Sequence, residues 1–154
     1  KACSCSIYWQ DSLGDYPRQE ECMHVERWPI HGKGRSRTVA YGNLVWTVAN
    51  ATDAEASFEV QVAQSLEMLE AHLKDAGSAR THLLSLQVIL TDIEKRPEFD
   101  SQWQEWIGPD PAHWPQRACF QSSLAPGLQI ELIAVAAPTS AIQSANAAPR
   151  IGQS

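Results

Sequence analysis

Alternating apolar and polar positions predict strands near the beginning of the patterned part of the chain. Residues 37–41 and 43–47 alternate with a period of two around a Gly42-Asn43 pair. Such a pair between two strand-like runs is a strong hairpin signal. Upstream of this hairpin, residues 24–28 (HVERW) have the pattern of the start of another strand.

A helical period follows the hairpin. Thr52-Asp53-Ala54-Glu55 has the form of a capping box, in which a hydroxyl and a carboxylate satisfy the first backbone donors of a helix. Gly77 stands where a helix would end. We therefore predict an amphipathic helix over 54–76, with one apolar stripe at spacings of four and three: Phe58, Val62, Leu66, Leu69, Leu73 and Ala76.

The second half of the chain continues with a strand, a helix and two more strands. Residues 84–90 predict a mostly buried strand, and Pro97 suits the first turn of a second helix. Two further strands, 117–124 and 128–137, flank an Ala125-Pro126-Gly127 turn. The order β-β-α-β-α-β-β predicts an α+β fold, a mixed sheet with two helices packed on one face. The second helix would bury Phe99, Trp103, Trp106 and Ile107.

The length of 154 residues fits one domain. Residues 1–22 are polar and lack either period, so they are interpreted as an N-terminal extension before a natural start at Met23. Residues 138–154 are rich in Ala, Ser, Gln and Pro and are interpreted as a C-terminal tail. The folded domain is expected over 23–137. The first residues do not have the pattern of a signal peptide, and a cytoplasmic location is expected.

Charge and motifs exclude several classes of function. The net charge of −6 argues against a broad nucleic-acid interface, and no apolar run is long enough to span a membrane. A zinc site from Cys3, Cys5, Cys22 and His24 is conceivable, but Cys-x-Cys is not the usual spacing, and reduced thiols without a metal are expected. The five histidines have no ligand-like spacing and are expected at the surface, with His72 at the edge of the helical stripe.

Two charged residues stand out by their position. Arg117 opens one predicted strand, and Glu131 lies inside the almost wholly apolar LQIELIAVAA run. Alternation places Glu131 on the same face as Ile133 and Val135. If the last two strands paired as a hairpin, Arg117 and Glu131 would come within reach of each other. The pair would then be either a structural salt bridge or an anion-binding arginine beside a water-orienting carboxylate.

Three stretches of the chain resemble the Rid family of reactive-imine deaminases, also called the YjgF or RidA family. They are residues 41–47 (YGNLVWT), residues 84–92 with their VILTD ending, and residues 115–119 (PQRAC) with the later IELIAV strand at 130–135. The resemblance covers nearly the whole of 23–137.

The resemblance implies a chorismate-mutase-like fold and a homotrimer with clefts between its subunits. It also implies hydrolysis of 2-imino or enamine acids, such as 2-aminoacrylate and 2-iminobutanoate, with no metal or organic cofactor. Arg117 would bind the substrate carboxylate, Glu131 would orient water, and the backbone around Cys119 would line the pocket. The partner would be a small-molecule carboxylate, with neither nucleic acid nor membrane involved.

The chain departs from the family pattern at two places in the expected pocket. Thr47-Val48-Ala49 stands where the family has T-S-G, so Val48 and Ala49 replace a serine and a glycine. Asp100 aligns with an asparagine of the family's second helix. These changes leave open a second hypothesis, a non-catalytic homotrimer that binds a small carboxylate metabolite. Ribonuclease activity, also attached to some family members, ranks third because the chain is acidic and lacks a suitable histidine pair.

Overall fold

The computed structural model describes residues 24–30 and 34–139. The predicted extension 1–22 and most of the predicted tail lie outside these residues, as do the cysteines of the zinc alternative, so those predictions remain predictions. The described residues form two helices, α1 (Phe58–Asp75) and α2 (Arg96–Ile107), and six strands: β1 (Glu26–Pro29), β2 (Ser36–Tyr41), β3 (Leu44–Asn50), β4 (Leu83–Leu90), β5 (Gln116–Gln121) and β6 (Ile130–Ala136).

The strands form one mixed sheet in the order β1-β2-β3-β6-β4-β5. All neighbours are antiparallel except β4 and β5, which are parallel and are connected through α2. The buried residues of α1, α2 and the sheet form one hydrophobic core, so both helices cover the same face. The predicted α+β class is confirmed, and the predicted Gly42-Asn43 hairpin is present as Tyr41 pairs with Leu44.

The pairing of the last two strands differs from the hairpin considered above. β4 lies between β5 and β6 and pairs with both. A parallel β4–β5 pair needs a crossover connection, and α2 provides it. The connection after β5 then passes the end of β4, so that β6 can pair with β3 on its other edge. The most apolar strand of the chain thereby has sheet partners on both sides.

Alternation along the strands separates two faces of the sheet. On β6, Ile130, Leu132, Ala134 and Ala136 are fully buried beneath the helices. Glu131, Ile133 and Val135 alternate with them and are half-buried on the opposite side, here called the open face. Three other apolar side chains are exposed on this face, as their strand registers place them there: Trp46, Val48 and Phe120.

Helix α1 begins later than the capping box predicted. The hydroxyl of Ser57 accepts a hydrogen bond from the Val60 N–H, and the helix starts at Phe58. Asp53 forms a turn instead, because its carboxylate accepts from the Glu55 N–H at 2.9 Å. The predicted end is correct, since Gly77 follows the helix with a φ of +70°. Neither helix in the described ranges is long and apolar enough to cross a bilayer.

A fully buried glutamine connects α1 to the loop before β6. The Gln61 side-chain amide donates to the carbonyl oxygen of Gly127 at 3.0 Å, and its own carbonyl accepts from the Gln129 N–H at 2.8 Å. Gly127 has a φ of +82°, and a Cβ atom there would lie 2.8 Å from Ala54. This position therefore requires glycine for both conformation and space.

One histidine is buried rather than at the surface. His72 is only 4% exposed, and its Nδ1 atom lies 3.1 Å from the hydroxyl of Thr47, which lies 2.9 Å from the hydroxyl of Thr38. The surface position expected for His72 is thus wrong, because β3 packs across this edge of the helical stripe. Burial lowers the pKa of His72, and the positive charge of Arg37 lowers it further; a hydrogen bond with the Val48 backbone and the charge of Asp75 oppose this shift.

This lowered pKa predicts a pH dependence of stability. The unfolded chain takes up a proton at this imidazole below pH of about 6.5, while the folded chain resists it until lower pH. The contribution of His72 to the free energy of unfolding should therefore be fully present above the pKa of the unfolded chain. It should fall as the pH drops towards the folded pKa, by at most about 1.4 kcal/mol per pH unit.

Chemical denaturation between pH 7.5 and 5.5 measures the effect. His72→Gln removes the titration and should flatten the fall in unfolding free energy, whereas His113→Gln, at a partly exposed ring, should keep the parent's profile. The same slope in His72→Gln and in the parent would contradict the prediction.

Candidate functional site

Arg117 lies on the helix side of the sheet. It pairs in register with Leu86, which is fully buried beneath the helices, and paired residues of parallel strands point to the same face. Its guanidinium carbon lies 5.5 Å from the ring centroid of Phe99 and 5.6 Å from that of Trp103. Two aromatic rings of α2 therefore hold the cation at the edge of the core.

Asp100 is the charged partner of this guanidinium. Its Oδ1 atom lies 2.6 Å from Arg117 Nη2, and its Oδ2 atom lies 3.4 Å from Arg96 Nε. Arg117 Nη1 is shielded from solvent and has no hydrogen-bond acceptor among the described residues. An unpaired buried donor is costly. Because Nη1 is covered by its surroundings, an anionic ligand that enters the pocket would meet the exposed part of the Arg117 side chain, which is 21% exposed.

A pocket of about 780 Å³ lies beside Arg117. It is bounded by the end of α2, the loop 108–115 and the start of β5. The Trp114 indole N–H donates to the carbonyl oxygen of Gly108 at 3.0 Å, which holds the loop against the end of the helix. The lining residues combine one cation with mostly apolar side chains: Trp103, Gln104, Glu105, Ile107, Gly108, Pro109, Trp114, Pro115 and Arg117.

Cys119 lies two residues further along β5, on the same side as Arg117. It pairs with the buried Val88 and packs against the core. Burial raises the pKa of its thiol, an effect that the charges of Arg96 and Arg117 oppose. The thiol is therefore a poor nucleophile at neutral pH. Its side chain does not line the pocket beside Arg117. In the sheet formed by the described residues, β5 is an edge strand, so its outer backbone can face a neighbouring molecule.

Glu131 lies on the other side of the sheet from Arg117. It pairs with Asn50 on β3 and Ile89 on β4, whereas Arg117 pairs with Leu86. The two residues are thus three positions apart along β4, about 10 Å, and on opposite faces. The proximity inferred from a β5–β6 hairpin is therefore wrong within one chain, because β4 lies between the two strands.

The remaining candidates divide between the core and the open face. Val48 is 38% exposed on the open face, where it pairs with Ile133, two residues along the strand from the Asn50–Glu131 pair. Ala49 is 1% exposed and belongs to the core. The structure thus assembles Arg117, Asp100 and Cys119 on the helix side and places Val48 with Glu131 on the open face.

The pocket walls were missed by the sequence analysis. Trp114 and Pro115 immediately precede the Arg117 strand, and Trp103 was identified only as a core residue of α2. The available signal was an aromatic residue next to the PQRAC stretch, yet its packing against Gly108 depends on the loop conformation. Within residues 24–30 and 34–139, no three histidine, cysteine or acidic side chains are grouped closely enough to hold a metal ion.

Comparisons with known proteins agree with this architecture. The family model described as Endoribonuclease L-PSP matches residues 36–138. A RutC family protein of Haemophilus ducreyi is 28% identical over 104 residues, which are 66% of this chain and 87% of that protein. A RutC family protein of Haemophilus influenzae is 27% identical over 77 residues, which are 49% of this chain and 65% of that protein.

Solved structures with the same fold include two bacterial proteins. A Pseudomonas aeruginosa protein has a TM-score of 0.68 and 30% identity, and the match covers 75% of this chain and 99% of that one. NMB1025 of Neisseria meningitidis, a YjgF protein family member, has a TM-score of 0.68 at 23% identity over 75% of this chain and 96% of that one. With the family model matching two thirds of its length, the chain belongs to the Endoribonuclease L-PSP family, the Rid/YjgF group.

Proposed function

We propose that the protein is a hydrolytic deaminase of reactive 2-imino or enamine acids. Water adds to the C2 atom of the imine, the nitrogen is protonated, and the C2–N bond breaks to release ammonia and leave a 2-keto acid. An imine is already electrophilic, so the protein needs mainly to hold the carboxylate and direct a water molecule. The reaction is balanced by one water and needs no redox partner.

The environment of Arg117 is the observation that carries this proposal. Its guanidinium is held between Phe99, Trp103 and Asp100, borders a pocket, and keeps one nitrogen without an acceptor among the described residues. A planar cation that borders a pocket is suited to binding a carboxylate. Arg117 accordingly binds the substrate carboxylate in this mechanism.

Glu131 is proposed to orient the attacking water. Because it lies on the opposite face from Arg117 of its own chain, the role requires an assembled site. The edge strand β5 of one copy would lie against the open face of another, so that one copy contributes Arg117 and the next contributes Glu131. The backbone near Cys119 would then line the cleft, with Val48 on its far wall.

The open face supports such self-association. Trp46 and Val48 of β3 are 40% and 38% exposed, and they pair in register with Val135 and Ile133 of β6. These four side chains form a continuous apolar patch on a sheet whose other face is covered by helices. Exposed patches of this kind commonly mark association surfaces. This patch and the family resemblance support a homotrimer with sites between subunits.

A second candidate function is non-catalytic binding of a small carboxylate by the same trimer. The Asp100–Arg117 contact of 2.6 Å favours it, because a carboxylate beside the cation competes with an anionic substrate. Val48 also favours it, since an apolar side chain takes the place of a hydroxyl near Glu131. An assay that generates 2-iminobutanoate in situ and follows its decay distinguishes the two functions.

Multi-angle light scattering tests the assembly. The expected mass is three times the 17.0 kDa of the chain. Val48→Lys places a charge within the apolar patch and should shift the protein towards monomer, since burying an unpaired charge is costly. A mass near 17 kDa for the parent would contradict the assembly and with it the shared site.

Substitution of Arg117 tests carboxylate binding. Arg117→Ala should abolish the binding of 2-oxobutanoate, the stable keto acid product of 2-iminobutanoate hydrolysis, while the trimer stays folded. Arg117→Lys should also fail, because lysine lacks the planar pair of donors. Asp100→Asn keeps the shape, removes the competing charge and should strengthen binding several-fold, by up to about 1 kcal/mol.

Isothermal calorimetry with circular dichroism separates binding from folding in these variants. Unfolding of Arg117→Ala, with unchanged 2-oxobutanoate affinity in Arg117→Lys, would instead support a purely structural salt bridge with Asp100.

Substitution of Glu131 tests the catalytic step. Glu131→Gln keeps the shape and removes the charge, so imine hydrolysis should slow by about 100- to 10,000-fold, the usual contribution of a positioned acid or base. Binding of 2-oxobutanoate should change little. A variant as active as the parent would remove Glu131 from the mechanism.

Mixing the two inactive variants tests whether the site is shared. In randomly mixed trimers of Arg117→Ala and Glu131→Gln, about one site in four would combine an intact Arg117 with an intact Glu131 from the neighbouring copy. Activity should therefore recover to about a quarter of the parent rate. No recovery on mixing would show that both groups act within one chain, which the sheet geometry opposes.

A further inference from the structure

We propose that the pocket beside Arg117 selects monocarboxylates with an aromatic or large apolar side chain rather than the smallest imino acids. This specificity rests on the proposed role of Arg117 as the group that binds the substrate carboxylate. The carboxylate would pair with the guanidinium, and the rest of the ligand would occupy the space lined by Trp103 and Trp114.

The size of the pocket favours a large ligand. Its volume is about 780 Å³, and pockets of about 300–1,000 Å³ accommodate drug-sized molecules. An imino acid of three or four carbons would leave most of this space to water. A side chain of the size of a benzyl or indolyl group would fill much more of it and remove apolar surface from solvent.

The pocket walls match an aromatic group in chemistry as well as in size. Trp103 is 7% exposed, and the Arg117 guanidinium lies close to its ring. The apolar wall of the pocket is therefore continuous with the proposed anion-binding group. Trp114 is 57% exposed, a high value for a large aromatic side chain, yet its indole N–H is engaged by Gly108. Its ring is thus held in place as a surface on which an aromatic group can stack.

The charges around the pocket favour a single carboxylate. Glu105 also lines the pocket, and no cation other than Arg117 is found among its lining residues. A second carboxylate on the ligand would meet a like charge without a partner of its own. Ligands derived from acidic amino acids are therefore disfavoured.

Two imines of different size test the proposal in the intact protein. Amino acid oxidase generates imines in situ from phenylalanine and from 2-aminobutanoate, and their decay gives kcat/KM for each. The parent should prefer the phenylalanine-derived imine about tenfold, equivalent to about 1.4 kcal/mol. A preference for the smaller imine would overturn the proposal.

Variants of Trp114 locate the preference in this pocket. Trp114→Ala should lower kcat/KM for the phenylalanine-derived imine about tenfold and leave the smaller imine nearly unchanged. Trp114→Phe should retain part of the preference. Val60→Ala, at an exposed apolar residue of helix α1 that does not line the pocket, is the control and should behave as the parent. Equal losses for both imines in Trp114→Ala would contradict the assignment.

Binding of stable keto acids keeps this test independent of catalysis. Calorimetry should show phenylpyruvate binding more tightly than 2-oxobutanoate, with 2-oxoglutarate the weakest. Trp114→Ala should remove the difference in affinity between phenylpyruvate and 2-oxobutanoate. If neither imine is hydrolysed but this order holds, the deaminase proposal fails and the specificity stands. If 2-iminobutanoate is hydrolysed but phenylpyruvate binds no more tightly than 2-oxobutanoate, the specificity fails and the deaminase proposal stands.

Discussion

The insertion of β6 between β3 and β4 determines which side chains of this molecule can meet. Once β6 pairs on both edges, its alternation buries Ile130, Leu132, Ala134 and Ala136 beneath the helices and directs Glu131 to the open face. The same insertion displaces β5 to the edge of the sheet, where it pairs only with β4. Arg117 therefore packs against the core on one side and borders a surface pocket on the other, as its proposed role requires.

The electrostatic environment of Arg117 combines a partly desolvated cation with a nearby carboxylate. A guanidinium against two aromatic rings is partly desolvated, and Asp100 compensates the charge at 2.6 Å. Asparagine at this position would leave the cation uncompensated, so an aspartate weakens the attraction for any anion. Apolar contacts from the walls formed by Trp103 and Trp114 can offset this loss for a ligand with a large side chain. In the proposed specificity, a large apolar side chain of the ligand thus compensates for the weaker electrostatic attraction.

Function and assembly are coupled in the proposed mechanism. The two groups assigned to catalysis lie on opposite faces of the same sheet. Each chain would therefore contribute Arg117 to one site and Glu131 to another. The apolar patch around Trp46 and Val48 provides the driving force that would bring the halves together. Substitutions on the open face would then affect activity without touching the pocket beside Arg117.

Local pattern alone determined the fold class, the elements and the facing of most residues in this protein. The stripe from Phe58 to Leu73, the Gly42-Asn43 hairpin and the Glu131 face follow from periods of 3.6 and 2, which the backbone imposes within a few residues. Candidate residues Arg117, Asp100 and Glu131 were also found in the sequence. Tertiary structure alone decided that β4 separates β5 from β6, that His72 is buried against Thr47, and that Trp114 closes a pocket with Trp103. Strand order and loop packing depend on contacts between residues far apart in the chain, and the local periodicity of the sequence does not predict such contacts.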